Sequence, residues 1–346
     1  MNTSMIFITN KQRDKKPVYK VGGLFSGVGG IELGFEDQGF DICWANDNDV
    51  NCSKTYELNH KHKYILKDIH KLNASELEPV DIMTGGFPCQ AFSIAGYQKG
   101  LQDERGNLFF EILRLIDEFD NPPNVLLLEN VKNFATHDNG RTLKILREEL
   151  ESRDYCVFSH VLNTAEYTLI PQNRERTFII CFREGRDAYL DTSQPMTTEF
   201  RMLFPPKKVR KKTDFRTLLE KNIDEKYFYR EDKYMYKDLV NIIKSKDTFY
   251  QWRRQYVREN KSQLCPTLTA NMGTGGHNVP LILTDDGIRK LTPKECFLLQ
   301  GFPKSFKLPK DSSNGQLYKQ SGNSVTVTLI GKLARIIKSC LDKNKF

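Results

Sequence analysis

Short apolar runs alternate with amphipathic stretches along the first half of the chain. Five runs have the length and the continuous apolar character of strands that are buried on both faces. Between them, apolar residues recur three or four positions apart, as on one face of a helix. This alternation predicts an α/β fold with a doubly wound, mostly parallel sheet. The predicted strands are 18–25, 41–45, 81–83, 125–128 and 178–182, and the predicted helices are 31–35, 51–58, 108–119 and 141–150.

The pattern changes after about residue 185. Residues 186–262 are charged and irregular, with aromatic clusters at 227–236 and 249–252. This composition predicts a second, smaller domain in which the aromatic residues form the core. Residues 324–341 return to an apolar helical pattern, and we expect them to fold back onto the first domain.

The composition excludes several classes of protein. Of the 346 residues, 39% are apolar and 28% are charged, which is too apolar for a disordered chain. No apolar run approaches the roughly 20 residues of a membrane span, and the first residues do not fit a secretory signal. The eight cysteines include no C-x-x-C pair, which argues against a zinc site or a disulfide framework and for a reducing, cytoplasmic compartment.

The net charge of +8 is unevenly distributed. Residues 1–184 hold 27 acidic and 21 basic side chains, residues 185–322 hold 16 and 26, and residues 323–346 hold 1 and 5. A strongly basic second region suits a polyanionic partner. Taken alone, the asymmetry is equally compatible with a lysine-rich surface that faces solvent.

A glycine-rich turn follows the first predicted strand and opens a helix. Gly27, Gly29 and Gly30 permit a tight turn that leaves backbone N–H groups at the helix N-terminus. Asp47 ends the second strand, where its carboxylate can accept hydrogen bonds from ribose hydroxyls. Together they predict an adenosine-containing ligand and leave open whether it is a pyrophosphate cofactor or S-adenosylmethionine.

Three further segments place reactive side chains near strand ends. Cys89 follows a strand in a turn rich in glycine and proline, where an open α/β sheet binds its ligands. An exposed cysteine there is a candidate nucleophile. Glu129 ends another strand and would lie beside Cys89 if the two strands are neighbours. Gln172, Arg174 and Arg176 precede the last strand, and alternation directs both arginines to one face, where they could hold an anion or a carbonyl oxygen.

Seven ordered segments resemble the DNA (cytosine-5) methyltransferases of bacterial restriction–modification systems. The resemblance spans nearly the whole chain, with residues 186–262 as its divergent part. It implies the Rossmann-like fold of S-adenosylmethionine-dependent methyltransferases, joined to a smaller, irregular and basic target-recognition domain. The segments are FSGVGG (25–30), GGFPCQAFS (85–93), RGNLFFEI (105–112), LLLENVKNF (126–134), PQNRER (171–176), LTPKECFLLQGFP (291–303) and GNSV (322–325).

The resemblance implies a covalent route for methyl transfer to C5 of cytosine. The Cys89 thiolate adds to C6 of the base, Glu129 hydrogen-bonds at N3 and the exocyclic amine, and Arg176 contacts the cytosine carbonyl. Gln172 and Arg174 are supporting neighbours. The activated C5 takes the methyl group of S-adenosyl-L-methionine, which leaves S-adenosyl-L-homocysteine, and loss of the C5 proton expels the cysteine. Because C6 is inaccessible in stacked duplex DNA, the base must be flipped out.

The same resemblance implies the residues around the cofactor. Asp47 and Asn48 stand where the family usually has Glu-Trp. The aspartate can still hold the ribose with a shorter reach, whereas Asn48 loses the apolar cover over the adenine. We therefore expect this chain to depart from the family in cofactor affinity. The expected cofactor residues are Phe25, Ser26, Gly27, Gly29, Gly30, Asp47, Asn48, Asp68, Ile69, Pro88, Leu108, Asn323 and Ser324.

The resemblance also divides the chain into four parts. Residues 1–184 form the catalytic and cofactor-binding domain, 185–294 the target-recognition domain, 295–322 a connection, and 323–346 a segment that returns to the first domain. Thr267 is expected near the phosphate of the flipped nucleotide, and the loop 93–105 resembles a lid over the flipped base. The expected DNA contacts are Ser93, Arg105, Arg253, Arg254, Arg258, Thr267, Asn271 and His277.

Three alternatives explain less of the sequence. A nicotinamide-dependent oxidoreductase accounts for the glycine turn and Asp47 but not for the Pro-Cys, Glu-Asn-Val and Arg-x-Arg segments. An RNA (tRNA) cytosine-5 methyltransferase typically uses two cysteines, and no second one is suitably placed. A non-catalytic DNA-binding module has no use for Cys89, Glu129 and Arg176. We therefore expect a monomeric bacterial enzyme of the cytoplasm and nucleoid that acts on double-stranded DNA. It would have no metal or membrane partner, and would form no stable complex with a cognate restriction endonuclease encoded nearby.

Overall fold

A seven-stranded sheet organises the first half of the chain. The computed structural model describes residues 18–88, 108–184, 195–233, 235–253, 256–274 and 279–343. The strands of this sheet are β1 (Lys20–Leu24), β2 (Asp41–Asp47), β3 (Lys63–Leu66), β4 (Ile82–Gly86), β5 (Val125–Val131), β6 (Cys156–Asn163) and β7 (Glu175–Phe182). Their spatial order is β3-β2-β1-β4-β5-β7-β6. The first five are parallel, whereas β7 runs antiparallel to both β5 and β6.

Helices cover both faces of this sheet, so the predicted doubly wound, mostly parallel fold is confirmed. The apolar side chains of α3 (Leu108–Glu118) and α4 (Arg141–Glu151) form the core on one face. Those of α1 (Gly30–Glu36), α6 (Pro195–Leu203) and α10 (Val327–Lys343) form the core on the other. No helix of the described ranges is long and apolar enough to cross a membrane. The helices are α1 (Gly30–Glu36), α2 (Val50–Glu57), α3 (Leu108–Glu118), α4 (Arg141–Glu151), α5 (Thr164–Tyr167), α6 (Pro195–Leu203), α7 (Tyr236–Ile242), α8 (Pro293–Leu298), α9 (Asn314–Asn323) and α10 (Val327–Lys343).

A second, antiparallel sheet lies in the region where the sequence shows no regular rhythm. Its strands are β8 (Phe249–Arg253), β9 (Tyr256–Asn260), β10 (Leu281–Thr284) and β11 (Gly287–Lys290), in the order β11-β10-β8-β9. Aromatic side chains of this region are buried, among them Tyr250 and Trp252, which pack with Leu239 of α7. These aromatic side chains therefore build the core of the small sheet.

Packing crosses two of the expected domain boundaries, which themselves remain predictions. Met196 and Phe200 of α6 follow residue 184 in sequence but pack into the core formed by α1 and α10. Arg289 of β11 and Glu295 of α8 form a buried ion pair with two contacts of 2.7 Å each. Cys296 of α8 packs in the same cluster as residues of the second region. The second sheet is thus tied directly to the helices that follow it.

Candidate active site

A cavity of about 630 Å³ opens at the carboxyl ends of the parallel strands. Its volume is within the range of sites that bind a whole cofactor or drug-sized ligand. Residues that the sequence assigned to the cofactor and residues that it assigned to catalysis line one continuous space. They are Phe25, Ser26, Gly27, Gly30, Asp47, Asn48, Asp68, Ile69, Pro88, Leu108, Glu129, Arg174, Arg176, Asn323 and Ser324.

The glycine turn between β1 and α1 has a backbone that favours glycine. Gly27 has φ 54° and Gly29 has φ 85°, both in the left-handed region. Gly29 does not line the cavity but lies behind the turn, where a Cβ would come within 2.2 Å of His60 Nε2. Burial lowers the pKa of His60 to about 4. The neutral ring donates Nε2–H to the carbonyl oxygen of Val28 at 3.1 Å and supports the turn from behind.

Asp47 holds the inner side of the same turn. Its carboxylate accepts hydrogen bonds from the backbone N–H groups of Gly27 and Asp49, each at 2.9 Å. Burial raises the pKa of Asp47, and these hydrogen bonds oppose the shift. At the next strand end, Asp68 accepts from the backbone N–H of His70 at 3.0 Å. Both carboxylates are therefore fixed in position at the rim of the cavity.

Lys319 and Gln320 also line the cavity, and the sequence did not identify them. Lys319 of α9 forms an ion pair with Asp49 at 3.0 Å, and Gln320 Nε2 donates to the carbonyl oxygen of Asn51 at 2.8 Å. These contacts join α9 to the N-terminal end of α2, although about 270 residues separate the partners in sequence. Nothing in the local sequence of α9 indicates them.

Glu32 is a buried acid whose burial the sequence did not indicate. It lies in α1, is only 1% exposed, and has the hydroxyl of Ser26 beside its carboxyl. A Cβ at Gly23 would lie 2.0 Å from Glu32 Oε1, so this glycine makes room for the carboxyl. Burial raises the pKa of Glu32 to about 7. The carboxyl therefore keeps its proton below about pH 7.

Replacing Glu32 by glutamine is expected to change how stability depends on pH. In the unfolded chain the carboxyl ionises near pH 4.5 and in the folded chain near pH 7, so its contribution to stability is lost as pH rises between these values. The free energy of unfolding of Glu32→Gln relative to the wild type should rise by about 3 kcal/mol from pH 4.5 to pH 8. Urea denaturation at several pH values measures this difference. The control is Glu148→Gln, which removes an exposed carboxyl. If the free energies of unfolding of Glu32→Gln and the wild type differed by the same amount at every pH, the burial of an ionisable carboxyl would be contradicted.

Glu129 lies at the end of β5, beside the segment that leads to Cys89. The strands β4 and β5 are parallel neighbours, with Gly86 opposite Glu129. The Nδ2 of Asn130 donates to the carbonyl oxygen of Phe87 at 3.0 Å, which ties the two strand ends together. Cys89 itself lies outside the described residues. The described neighbours nevertheless place the start of its segment at the edge of the sheet that carries Glu129.

Arg176 pairs with Glu129 across the antiparallel β5–β7 contact. The distance from Arg176 Nε to Glu129 Oε1 is 3.0 Å, and the two side chains are 15% and 11% exposed. Burial raises the pKa of Glu129, while the charges of Arg176 and Arg174 act in the opposite direction. Glu129 and Arg176 therefore form a close pair that lines the cavity.

Arg174 and Gln172 are buried at the junction between the two regions of the chain. Arg174 is 1% exposed, and its guanidinium donates to the carbonyl oxygens of Leu268, Gly322 and Ser324. It lines the cavity with Arg176, as the alternation of the sequence predicted, but its described partners are protein carbonyl groups rather than an anion. Gln172 is fully buried and does not line the cavity. Its Nε2 donates to the carbonyl oxygen of Leu299 at 2.6 Å, which makes it a positioning residue.

The expected DNA contacts are divided between described and undescribed residues. The hydroxyl of Thr267 donates to the carbonyl oxygen of Asn173 at 2.6 Å, next to Arg174. Arg253, Arg258 and Asn271 are exposed on the second region. Ser93, Arg105, Arg254 and His277 lie outside the described residues.

The seven cysteines other than Cys89 all lie in the described ranges. All seven in the described ranges are free thiols, and six of them are buried. Burial raises the pKa of Cys43 to about 11 and raises that of Cys181 further. A thiol whose pKa is raised in this way is a poor nucleophile.

Comparisons with known proteins agree with this site. A family model described as C-5 cytosine-specific DNA methylase matches residues 19–339. The chain is 48% identical over 326 residues to the Type II methyltransferase M.Bsp6I of Bacillus sp. (strain RFL6), covering 93% of this chain and 99% of that protein. It is 35% identical over 333 residues to the Type II methyltransferase M.HhaI of Haemophilus parahaemolyticus, covering 92% and 94%.

A solved structure shares the fold at lower sequence identity. The Dnmt2 methyltransferase of S. pombe superposes with a TM-score of 0.69 at 20% identity, covering 95% of this chain and all of that one. The family match supports the DNA methyltransferase interpretation over an RNA methyltransferase or a nicotinamide-dependent oxidoreductase. The chain belongs to the C-5 cytosine-specific DNA methylase family and is a cytosine-5 DNA methyltransferase of the bacterial restriction–modification type.

Proposed function

We propose that this enzyme methylates a flipped-out cytosine through a covalent bond between Cys89 and C6, with Glu129 and Arg176 holding the base. The observation that carries the proposal is the Glu129–Arg176 pair, 3.0 Å apart at the end of β5 and opposite the strand that leads to Cys89. A carboxyl and a guanidinium side by side match the N3 and carbonyl edge of cytosine.

S-adenosylmethionine fits the other end of the cavity. The hydroxyl of Ser324 is buried and has no hydrogen-bond partner in the described part of the chain, and the side chains of Ser26 and Ser324 both line the cavity. Asp47 and Asp68 add carboxylates suited to the ribose and to a cationic ligand. When bound, this cofactor supplies an electrophilic methyl group. The unpartnered Ser324 hydroxyl and the acidic rim suit the polar groups and the positive charge of such a ligand.

The protein's part of the reaction begins with the Cys89 thiolate. Its sulfur forms a bond to C6, and the ring electrons move towards C5 while Glu129 hydrogen-bonds at N3 and the amine. Arg176 holds the carbonyl oxygen and offsets the charge that develops there. After C5 has gained the methyl group, a base removes the C5 proton, and those electrons expel the sulfur of Cys89. The thiolate is thereby regenerated.

Duplex DNA is the substrate class that the family implies. We propose that the basic second region binds this DNA. Arg253 and Arg258 are exposed on β8 and β9 and can reach phosphates or base edges. Thr267 lies beside Asn173, close to the arginines of the cavity, where the phosphate of a flipped nucleotide would approach. We also propose that the enzyme acts as a monomer and protects host DNA from an endonuclease with which it forms no stable complex. Analytical ultracentrifugation tests whether the free protein is a monomer.

Replacing Asp47 by asparagine is expected to weaken cofactor binding about 10- to 100-fold. The change removes a charged acceptor that orders the turn through Gly27 and Asp49, and charged hydrogen bonds contribute about 1.5–3 kcal/mol. Calorimetric titration with S-adenosylhomocysteine measures the effect. Asp311→Asn is the matched control, since Asp311 is exposed and pairs with Lys54 outside the cavity. Equal affinities for the two variants would contradict a role for Asp47 in the cofactor site.

Bisulfite sequencing of DNA from a host that expresses the enzyme tests the proposed function. Methylated cytosines should occur at one short recognition sequence, and they should be absent from a host that expresses Cys89→Ala. Methylation spread over unrelated sequences, or the same pattern with both proteins, would overturn the proposal. The experiment also identifies the target sequence required for work in vitro.

A further inference from the structure

A second cluster of potential ligands lies behind the glycine turn, outside the cavity. Glu36 belongs to the last turn of α1, and His60 and His62 follow the end of α2. Each of the three side chains offers one ligand atom, and these atoms lie within 4.8 Å of one another. The set contains no cysteine, so the cysteine spacing that argued against a zinc site does not bear on it.

The ring of His60 is oriented as metal-binding histidines usually are. Its Nε2–H is committed to the carbonyl oxygen of Val28 at 3.1 Å, which leaves the lone pair on Nδ1. His60 is only 7% exposed, and Nδ1 has no hydrogen-bond partner within the described ranges. A histidine that binds a metal through one nitrogen typically donates the other N–H to a backbone carbonyl or a carboxylate. A buried, unpartnered nitrogen otherwise carries a desolvation cost.

His62 and Glu36 complete the set on the solvent side. The Nε2 of His62 lies 3.3 Å from Glu36 Oε1, longer than the roughly 2.7–2.9 Å of a charge-assisted hydrogen bond. The other nitrogen of His62, Nδ1, lies 3.2 Å from the hydroxyl of Tyr56, which orients the ring. The Glu36 side chain is half exposed, so a fourth ligand can come from water. Two imidazoles, one carboxylate and one water are a common ligand set for zinc.

We propose that Glu36, His60 and His62 bind one Zn²⁺ ion, with water as the fourth ligand. The ion would join the ends of α1 and α2 and, through His60, the glycine turn at Val28 and Gly29. Its role would be to hold the turn in shape from the side opposite the cavity. This site is independent of the proposed catalytic roles, since none of its three ligands lines the cavity.

Zinc titration of the full-length, untagged protein after chelation tests the site. The wild type should bind one equivalent of Zn²⁺ and gain thermal stability with it. Glu36→Gln and His62→Gln should each weaken binding at least about tenfold. Glu36→Gln alters an exposed side chain and should leave the fold intact. The control is His160→Gln, an exposed histidine on β6, which should bind zinc as the wild type does.

Cobalt substitution distinguishes this site from the cysteines. Co²⁺ bound to two imidazoles and a carboxylate should give visible ligand-field bands without a thiolate charge-transfer band. A thiolate band that survives in Glu36→Gln and His62→Gln would overturn the proposal. Two other results would also overturn the proposal: zinc affinities of these two variants equal to that of His160→Gln, or a wild-type protein that binds no zinc.

Discussion

Replacing Glu129 by glutamine is expected to lower kcat by about 10²- to 10⁴-fold, the usual contribution of a positioned acid or base. The glutamine keeps the shape of the side chain but cannot exchange a proton with N3 of the base. Arg176, which lies 3.0 Å from the carboxylate, would also lose its charged partner. Affinity for S-adenosylhomocysteine should change little, since the cofactor residues of the turn do not depend on Glu129. Single-turnover transfer of a labelled methyl group to the mapped DNA site measures the chemical step.

Glu175→Gln is the matched control for this experiment. Glu175 lies next to Arg176 on β7 but pairs with Lys132 at 2.8 Å, and both side chains are more than one-third exposed. Its replacement should leave kcat within about twofold of the wild type, as expected for an exposed pair. Equal rates for Glu129→Gln and the wild type would show that Glu129 has no role in the chemical step.

Replacing Arg174 by methionine is expected to lower the free energy of unfolding by about 3 kcal/mol and to impair activity. Methionine fills a similar length of space but offers no donors to the carbonyl oxygens of Leu268, Gly322 and Ser324. Each buried acceptor left without a donor costs about 1–3 kcal/mol. Removing the buried charge recovers part of this cost, since burial lowers the pKa of Arg174 well below its usual range. The loss of donors to three carbonyl groups should outweigh that gain.

Arg183→Met provides the comparison for Arg174→Met. Arg183 lies directly after β7, is exposed, and its guanidinium donates to the carbonyl oxygen of Pro122 over a long 3.5 Å. In denaturant unfolding, the free energy of unfolding should fall strongly for Arg174→Met and by less than about 0.5 kcal/mol for Arg183→Met. Similar losses would mean that the carbonyl contacts of Arg174 contribute little to joining the two regions.

The central strands were predictable because they are buried on both faces. β1, β4 and β5 each contain a run of buried residues, and Gly86 and Val131 at the ends of β4 and β5 line the cavity. β3 and β6 were missed because they lie at the two edges of the sheet. Their burial is only partial, and β6 carries polar residues such as Ser159 and His160. Edge strands of this kind lack the continuous apolar run that the prediction relied on.

The candidate site was predictable where its residues belong to local segments. The glycine turn, Asp47 and the strand end at Glu129 each show a local pattern that has a known chemical use. Gln172 and Arg174 also lie in such a segment, but the sequence did not indicate their partners. Arg174 donates to Leu268 and Gln172 donates to Leu299, which are about 90 and 130 residues further along the chain. A role that depends on distant backbone carbonyl groups requires the tertiary fold.

Trapping on DNA that carries 5-fluorocytosine at the mapped target site tests the central claim most directly. Fluorine at C5 blocks the loss of a proton there, so elimination of the cysteine cannot follow methyl transfer. With S-adenosylmethionine present, the wild type should form a complex with the duplex that survives denaturation, and Cys89→Ala should form none. No such complex with the wild type, or an equal amount with Cys89→Ala, would contradict a covalent mechanism through Cys89.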